Sequence, residues 1–360
     1  MALNTSVFQQ QMVGSAANVN FKDIQTAALH LFRGQPILNI RKIQKSRLRY
    51  LMKISDVSRM ITLEVFKQVD YHHYCFDELA VIKFIYSTPH AGVGVLEALL
   101  EKTKTKSLSR KELSVIKDIL KAQNILKGFI KAILAYDGSF SSSQISAFSQ
   151  IFKDAHLSKA VIAFFLDNMC NPSVSHNHNR FFQEIFSCQD AGINIARAIN
   201  LRYSESLMTF IEIKMLKTVL NSEDLCIGIA KEIVAKSSFA VMNPIMQNNY
   251  KRLFDSVEIA EGICKGLITQ LRYNVLYHHT NNIFAEMLSS KYAGEGMARA
   301  LINYYNINKQ LPAPLKHTFE VITASSEVRN ALKDSLEKAF SVGDLDSSAY
   351  EHFNSLMIEH

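Results

Sequence analysis

One spacing of apolar and small residues recurs about every 34 residues, nine times, from Leu48 almost to the C-terminus. A repeat of that length constrains the fold more than any other feature here, because such periods mark stacked helical units. Each copy opens on a bulky apolar residue: Leu48, Ile82, Ile116, Phe148, Phe182, Leu216, Tyr250, Phe284 and Phe319. The steps are 34 residues, except one of 32 before Phe148 and one of 35 before Phe319. Three residues on stand Leu51, Ile85, Ile119, Ile151, Ile185, Val219, Leu253, Met287 and Ile322, and the next residue is again apolar in every copy but the last, which has Thr323. Positions i, i+3 and i+4 share one face of a helix.

A polar break follows, with Thr88, Asp154, Ser222, Ser256, Ser290 and Ser325 at its third residue. These side chains accept hydrogen bonds from the free N–H groups that open a helix. Acids two residues later, such as Asp190, Asp224, Glu258 and Glu327, favour the positive end of the helix dipole. The second helix has its own stripe. It starts from Val57, Ala91, Ile125, Leu157, Ala191, Leu225, Ile259, Ala293 and Val328, and it continues through Ile61 and Val65 and their equivalents. Within that stripe runs a small column, Gly94, Gly128, Ala160, Gly228, Gly262, Gly296 and Ala331. Glycine inside a helix costs about 1 kcal/mol against alanine, so its recurrence implies a packing reason. The expectation is close approach of the paired first helix. One copy buries too little apolar surface to offset the entropy of ordering its chain, so neighbouring copies must cover it.

Period and phase resemble the tetratricopeptide and pentatricopeptide class of helical-hairpin repeats. The small column matches the alanine of that class, and Ile119 and its equivalents match its large residue late in helix one. The chain departs from the class in having no tryptophan, in placing Phe148, Phe182 and Phe284 where the class has a first-helix glycine, and in its single repeat-end proline, Pro172. The resemblance implies a scaffold that binds peptides, proteins or RNA along its groove, and it assigns no binding residue. The expected fold is therefore all-α, a right-handed α-solenoid of about nine hairpin repeats over residues 41–340. A tail and a degenerate capping helix would precede it (1–40), and a closing helix would follow (341–360).

Charge is unevenly spread. Residues 1–136 hold 20 Lys/Arg against 10 Asp/Glu, and the remainder holds 20 against 23. The basic end centres on Arg41, Lys42, Lys45, Arg47, Arg49 and Lys53, which suits an anionic lipid, a phosphate or a nucleic acid. It equally suits a solvated face on an end helix. Exposed positions expected on the concave, first-helix side are Lys83, Lys117, Gln150, Glu184, Lys217, Lys251, Arg252 and Glu286, and their mixed sign favours a protein partner over a uniform polyanion.

Histidines pair at His72-His73, His176/His178 and His278-His279, without the further ligands that a zinc site needs. The five cysteines form no Cys-x-x-Cys pair, which points to free thiols in a reducing compartment such as the cytoplasm. No basic-then-apolar leader opens the sequence, and no apolar stretch approaches a membrane span. There is no Gly-x-Gly-x-x-Gly, P-loop or Gly-x-Ser-x-Gly motif, so the reading is non-catalytic, without cofactor or metal. An enzyme whose site is assembled from distant residues remains the alternative. Ser347 to His360 mixes acids with Leu356, Met357 and Ile358 and resembles the export signal of type IV-secreted bacterial effectors, which would place the protein in a host cytosol. The same residues suit a final helix packing Phe353. The leading function is a scaffold or adaptor binding a protein through its curved surface, with polyanion binding at the basic end as the alternative.

Overall fold

The computed structural model describes residues 42–69, 74–104, 106–122, 124–136, 138–168, 176–186, 188–237, 242–272, 275–312 and 314–358, with backbone only for 42–44, 47, 176–180 and 355–358. The described residues form nineteen α-helices and no strand. They fall into two compact units, Met1–Ile151 and Phe152–His360, where the repeat alone anticipates one continuous run.

The first unit holds α1 (Lys42–Leu51), α2 (Ser55–Val69), α3 (Phe76–Tyr86), α4 (Ala91–Thr103), α5 (Arg110–Leu120), α6 (Ile125–Ala135) and α7 (Ser142–Phe152), which ends one residue beyond the boundary. The second holds α8 (Ala155–Asn168), α9 (His176–Ile185), α10 (Gln189–Arg202), α11 (Phe210–Val219), α12 (Glu223–Ser237), α13 (Pro244–Phe254) and α14 (Val257–Leu271). It continues through α15 (His278–Met287), α16 (Lys291–Asn308), α17 (Leu315–Ile322), α18 (Ser326–Ser341) and α19 (Ser347–Ile358). Odd-numbered helices are the first helices of the sequence repeat, and even-numbered ones are the second.

Within each unit, even helices pack on even helices and odd on odd. The first unit stacks α2, α4 and α6 in one layer and α1, α3 and α5 in the other; the second stacks α8 to α18 and α9 to α17 in the same manner. The core lies between the layers. Every residue of the three first-helix columns is buried, including Thr323, and so are the three apolar second-helix columns from Val57, Ile61 and Val65 to Val328, Leu332 and Leu336. The closing helix α19 packs on α17 and α18 and buries Ala349 and Phe353.

The small column has a different partner from the expected one. It faces the second helix of the neighbouring repeat, not the paired first helix. A Cβ on Gly94 would lie 2.4 Å from the Ser55 carbonyl oxygen on α2, and one on Gly228 would lie 2.0 Å from the Gln189 carbonyl oxygen on α10. Several of these residues meet a second small position one helix away, as in Ser58 with Gly94, Gly192 with Gly228, Cys226 with Gly262 and Ala260 with Gly296. At Gly94 and Gly228 the glycine lies against backbone atoms of the preceding even helix, with no room for another carbon.

Polar side chains tie the same layers together at fixed spacing. Along the even helices the partners are 42 residues apart: Ser55 Oγ donates to Glu97 (2.7 Å), Arg59 pairs with Glu101 (2.6 Å), Lys265 with Glu223 (2.8 Å), and Asn303 donates to Glu261 (3.0 Å). Along the odd helices they are about one repeat apart, as in Lys83 with Asp118 (3.7 Å) and Lys251 with Glu286 (3.6 Å).

Second-helix caps follow the expected chemistry at Asp154, whose Oδ1 accepts from the N–H groups of His156 (3.1 Å) and Leu157 (3.2 Å), and at Ser290, whose Oγ accepts from Ala293 (3.3 Å). Ser256 and Ser325 occupy N-cap positions without that bond. The first helices carry a cap of their own. Ser109 with Glu112 and Thr209 with Glu212 form reciprocal capping boxes, and Ser141 with Gln144 makes the same pair of bonds. The buried third residue of each then reaches back along the chain: Glu112 to the Lys102 ammonium (2.8 Å) and Glu212 to the Tyr203 hydroxyl (2.7 Å) of the preceding repeat, and Gln144 to the Leu100 carbonyl (3.2 Å) two repeats back.

Candidate interaction surface

The basic end is described in part. Arg41 lies outside the described residues, and Lys42 and Arg47 are placed on α1 by backbone alone. Lys45 is half-buried and Arg49 exposed. The Arg49 guanidinium lies 5.2 Å from the ring centroid of Phe84 on α3, and the Lys53 ammonium 4.9 Å from that of Tyr50. Both cations therefore rest on aromatic faces.

The charged residues expected on the first-helix side are spread over both units. Lys83 and Lys251 are engaged with neighbouring odd helices, as described. Arg252 Nη1 donates to the Met208 carbonyl (2.5 Å), and Lys217 Nζ to the Asp255 carbonyl (2.6 Å). Lys117 and Glu184 are half-buried on α5 and α9, and Gln150 is exposed on α7. Much of this mixed charge thus fastens repeat to repeat.

The second unit also leaves several large apolar side chains open to solvent. Phe210 is 76% exposed, Ile211 57%, Val275 73% and Tyr277 62%, and Leu207 and Ile245 are exposed as well. Local sequence explains the placement. The Thr209 capping box makes Phe210 and Ile211 the first two residues of α11, one turn short of the buried stripe that begins at Ile213. Asn243 caps α13 and Pro244 starts it, which puts Ile245 at the place equivalent to Ile211. Tyr277 is the N-cap residue of α15. These residues therefore mark one end of three successive odd helices, α11, α13 and α15, that pack side by side.

The segment leading into α11 is held firmly. Asn249, fully buried on α13, accepts from the Met208 N–H (2.8 Å) and donates to the Ser206 carbonyl (2.9 Å). Asn243 Nδ2 donates to the Ser204 carbonyl (2.6 Å). Tyr203, buried at the end of α10, donates to Glu212 and accepts from Arg202 Nε (3.1 Å), whose guanidinium also pairs with Asp167. Burial pushes the Glu212 carboxyl up, but hydrogen bonds from the Thr209 backbone, the Tyr203 hydroxyl and the Thr209 side chain, with the Arg202 charge, hold it below its ordinary value.

Beside this segment an open groove of about 540 Å³ runs between α9 and α11, lined among others by Gln183, Phe210, Ile213, Lys214, Lys217 and Asn221. Lys214 is exposed. Burial holds the Lys217 ammonium below its ordinary pKa, with Asp255 opposing that shift and Arg252 adding to it.

No group of three or more His, Cys, Asp or Glu side chains suited to a metal ion exists among the described residues. His278 stacks on His317 with centroids 6.3 Å apart, and His279 Nε2 bonds to the Ser237 carbonyl. His72 and His73 lie outside the described residues, and His176 and His178 are described by backbone alone. Cys75, Cys188, Cys226 and Cys264 are free thiols, Cys226 and Cys264 buried in the even-helix layer. Among the described residues no single helix is long and apolar enough to cross a membrane. No protein-family model and no curated protein matches this chain.

Sequence reasoning over charged positions missed the apolar end of α11, α13 and α15. A usable signal existed: Phe210-Ile211 directly follows the cap residue of a Thr-x-x-Glu box, so both precede the phase of the core stripe.

Proposed function

We propose that the chain is a non-catalytic helical-repeat scaffold that binds a protein partner through the odd-helix side of its second unit, as an adaptor or an exported bacterial effector. Its hairpins would continue as a right-handed α-solenoid of about nine repeats. The observation that carries the reading is the set of exposed large apolar side chains at the starts of α11, α13 and α15, the first of them on a segment that Asn243, Asn249 and Arg252 hold in place. Contiguous apolar surface on a rigid support is the usual signature of a protein-binding face. Polyanion binding at the basic end has less support, because Arg49 and Lys53 already rest on the Phe84 and Tyr50 rings. Crosslinked capture from cells, followed by identification of both protein and nucleic acid, tests the choice. Recovery of a protein that contacts the second unit supports the scaffold; recovery of specific RNA alone reverses it.

A further inference from the structure

We propose that the groove between α9 and α11 binds an acidic peptide segment of a partner protein, one that carries a large apolar side chain beside its carboxylates. This rests on the scaffold reading above and names the chemistry of its partner.

The lining has two halves. Phe210 and Ile213 supply an apolar wall, and Lys214 and Lys217, three residues apart on α11, supply two ammonium groups. No carboxylate stands among the described lining residues, while Asn221 offers an amide to a peptide backbone. Lys217 is half-buried and donates to the Asp255 carbonyl, with the Asp255 charge opposing that of Arg252, whereas Lys214 is exposed, so a carboxylate entering the groove meets the free-standing Lys214 ammonium and, beside it, the partly desolvated Lys217. An uncharged apolar segment would instead bury that ammonium further without offsetting its lost hydration.

The occupant's apolar component follows from the rim. Phe210, Leu207 and Ile211 are exposed, and the backbone leading into them is held in place by the bonds from Asn243, Asn249 and Arg252. A surface ordered in advance avoids the entropic cost of arranging it on binding. A nucleic acid fits this rim less well. Single-strand binders stack bases on successive aromatic side chains, whereas the residues flanking Phe210 in sequence that are also exposed are the aliphatic Leu207 and Ile211.

The test uses the full chain and an array of capped peptides that permute Asp and Glu with Leu, Ile and Phe, each beside a copy with Asn and Gln replacing the acids. The best pair is then measured by fluorescence anisotropy. The acidic member should bind about fivefold tighter or more, an advantage that added salt erodes. Lys214→Glu should remove the preference, and Phe210→Ser should weaken both members. Phe76→Ser, at the equivalent place on α3, should change neither. Lys214 and Phe210 are exposed, so unchanged melting will confirm that these variants fold. Equal binding of acidic and neutral peptides, no binding by any acidic peptide, or full affinity in Lys214→Glu would overturn the proposal, as would an oligonucleotide that outcompetes the peptide. If the groove fails but crosslinking still maps a protein partner to Ile245 and Tyr277, the scaffold reading stands without it; if no protein contacts the second unit at all, both fail.

Discussion

Adding one methyl group at Gly262 should destabilise the second unit, although alanine is the better helix former. The new Cβ would lie 2.6 Å from the Cys226 Cβ, 3.2 Å from its sulfur and 3.7 Å from the Glu223 Cα. Carbon atoms prefer about 3.5–4.0 Å, so either α12 and α14 part by about 1 Å or the Cys226 side chain moves. That side chain is 1% exposed, and its thiol donates to the Leu220 carbonyl (3.3 Å), so it has little freedom. Overpacking of this kind costs about 1–3 kcal/mol, against a gain of about 1 kcal/mol in helix propensity. The net loss for Gly262→Ala is then about 1 kcal/mol, or about 2–4 °C in melting temperature for a unit of this size. The decisive comparison repeats the substitution in a Cys226→Gly background, where the obstructing atoms are gone. There only the propensity term remains, and Gly262→Ala should stabilise by up to about 1 kcal/mol. Urea denaturation of all four proteins closes the cycle, with a coupling of about 1–3 kcal/mol expected. If Gly262→Ala raises stability in both backgrounds, the even helices are not in contact through the small column.

Other expectations concern the polar ties and the thiols. Asn249→Ala removes the acceptor for a buried Met208 N–H and should cost about 1–3 kcal/mol in urea denaturation; a loss within error would mean that the segment before α11 is not held by it. Thr209→Ala removes a reciprocal cap and should cost about 1 kcal/mol. Glu212 has a carboxyl pKa held below its unfolded value, so its contribution to stability is present above the unfolded pKa and lost as pH falls through the folded one. Glu212→Gln should therefore flatten the acid limb of a stability-against-pH curve, and an unchanged limb would assign that limb to other carboxylates. A thiol reagent at mild pH should label exposed Cys75 in the folded protein, while Cys226, whose pKa burial pushes up to about 12, and Cys264, also raised by burial, should react only on unfolding.

The helical stripes were legible because burial depends on phase within one helix, which the spacing of Phe182, Ile185 and Phe186 or of Leu225, Ile229 and Ile233 displays directly. What the glycines face was not legible in the same way. Periodicity shows that Gly94 shares a side with Val95 and Leu99, but not that the atoms opposite belong to Ser55 and Ser58 of the preceding hairpin rather than to α3. The ties between Arg59 and Glu101 or Lys265 and Glu223 are hidden for the same reason, since each partner looks like an ordinary surface charge on its own helix. The first-helix capping boxes were readable, as Ser109-x-x-Glu112 and Thr209-x-x-Glu212, yet they lie in segments that read only as linkers between copies. At the interaction surface, the charge of Lys83, Lys251 and Arg252 is readable in the sequence but their bonds to neighbouring repeats are not, whereas Phe210 and Ile211 pass for core residues until the helix start is located.

The central claim, that the odd-helix side of the second unit meets a protein, is tested most directly by position-resolved photo-crosslinking in cells. A photoreactive side chain would replace Ile211 or Tyr277, with Lys333 on the even helix α18 as the control. The account predicts crosslinks to a single polypeptide from both Ile211 and Tyr277 and none from Lys333. Crosslinks of equal yield from all three positions, or to nucleic acid alone, would contradict it.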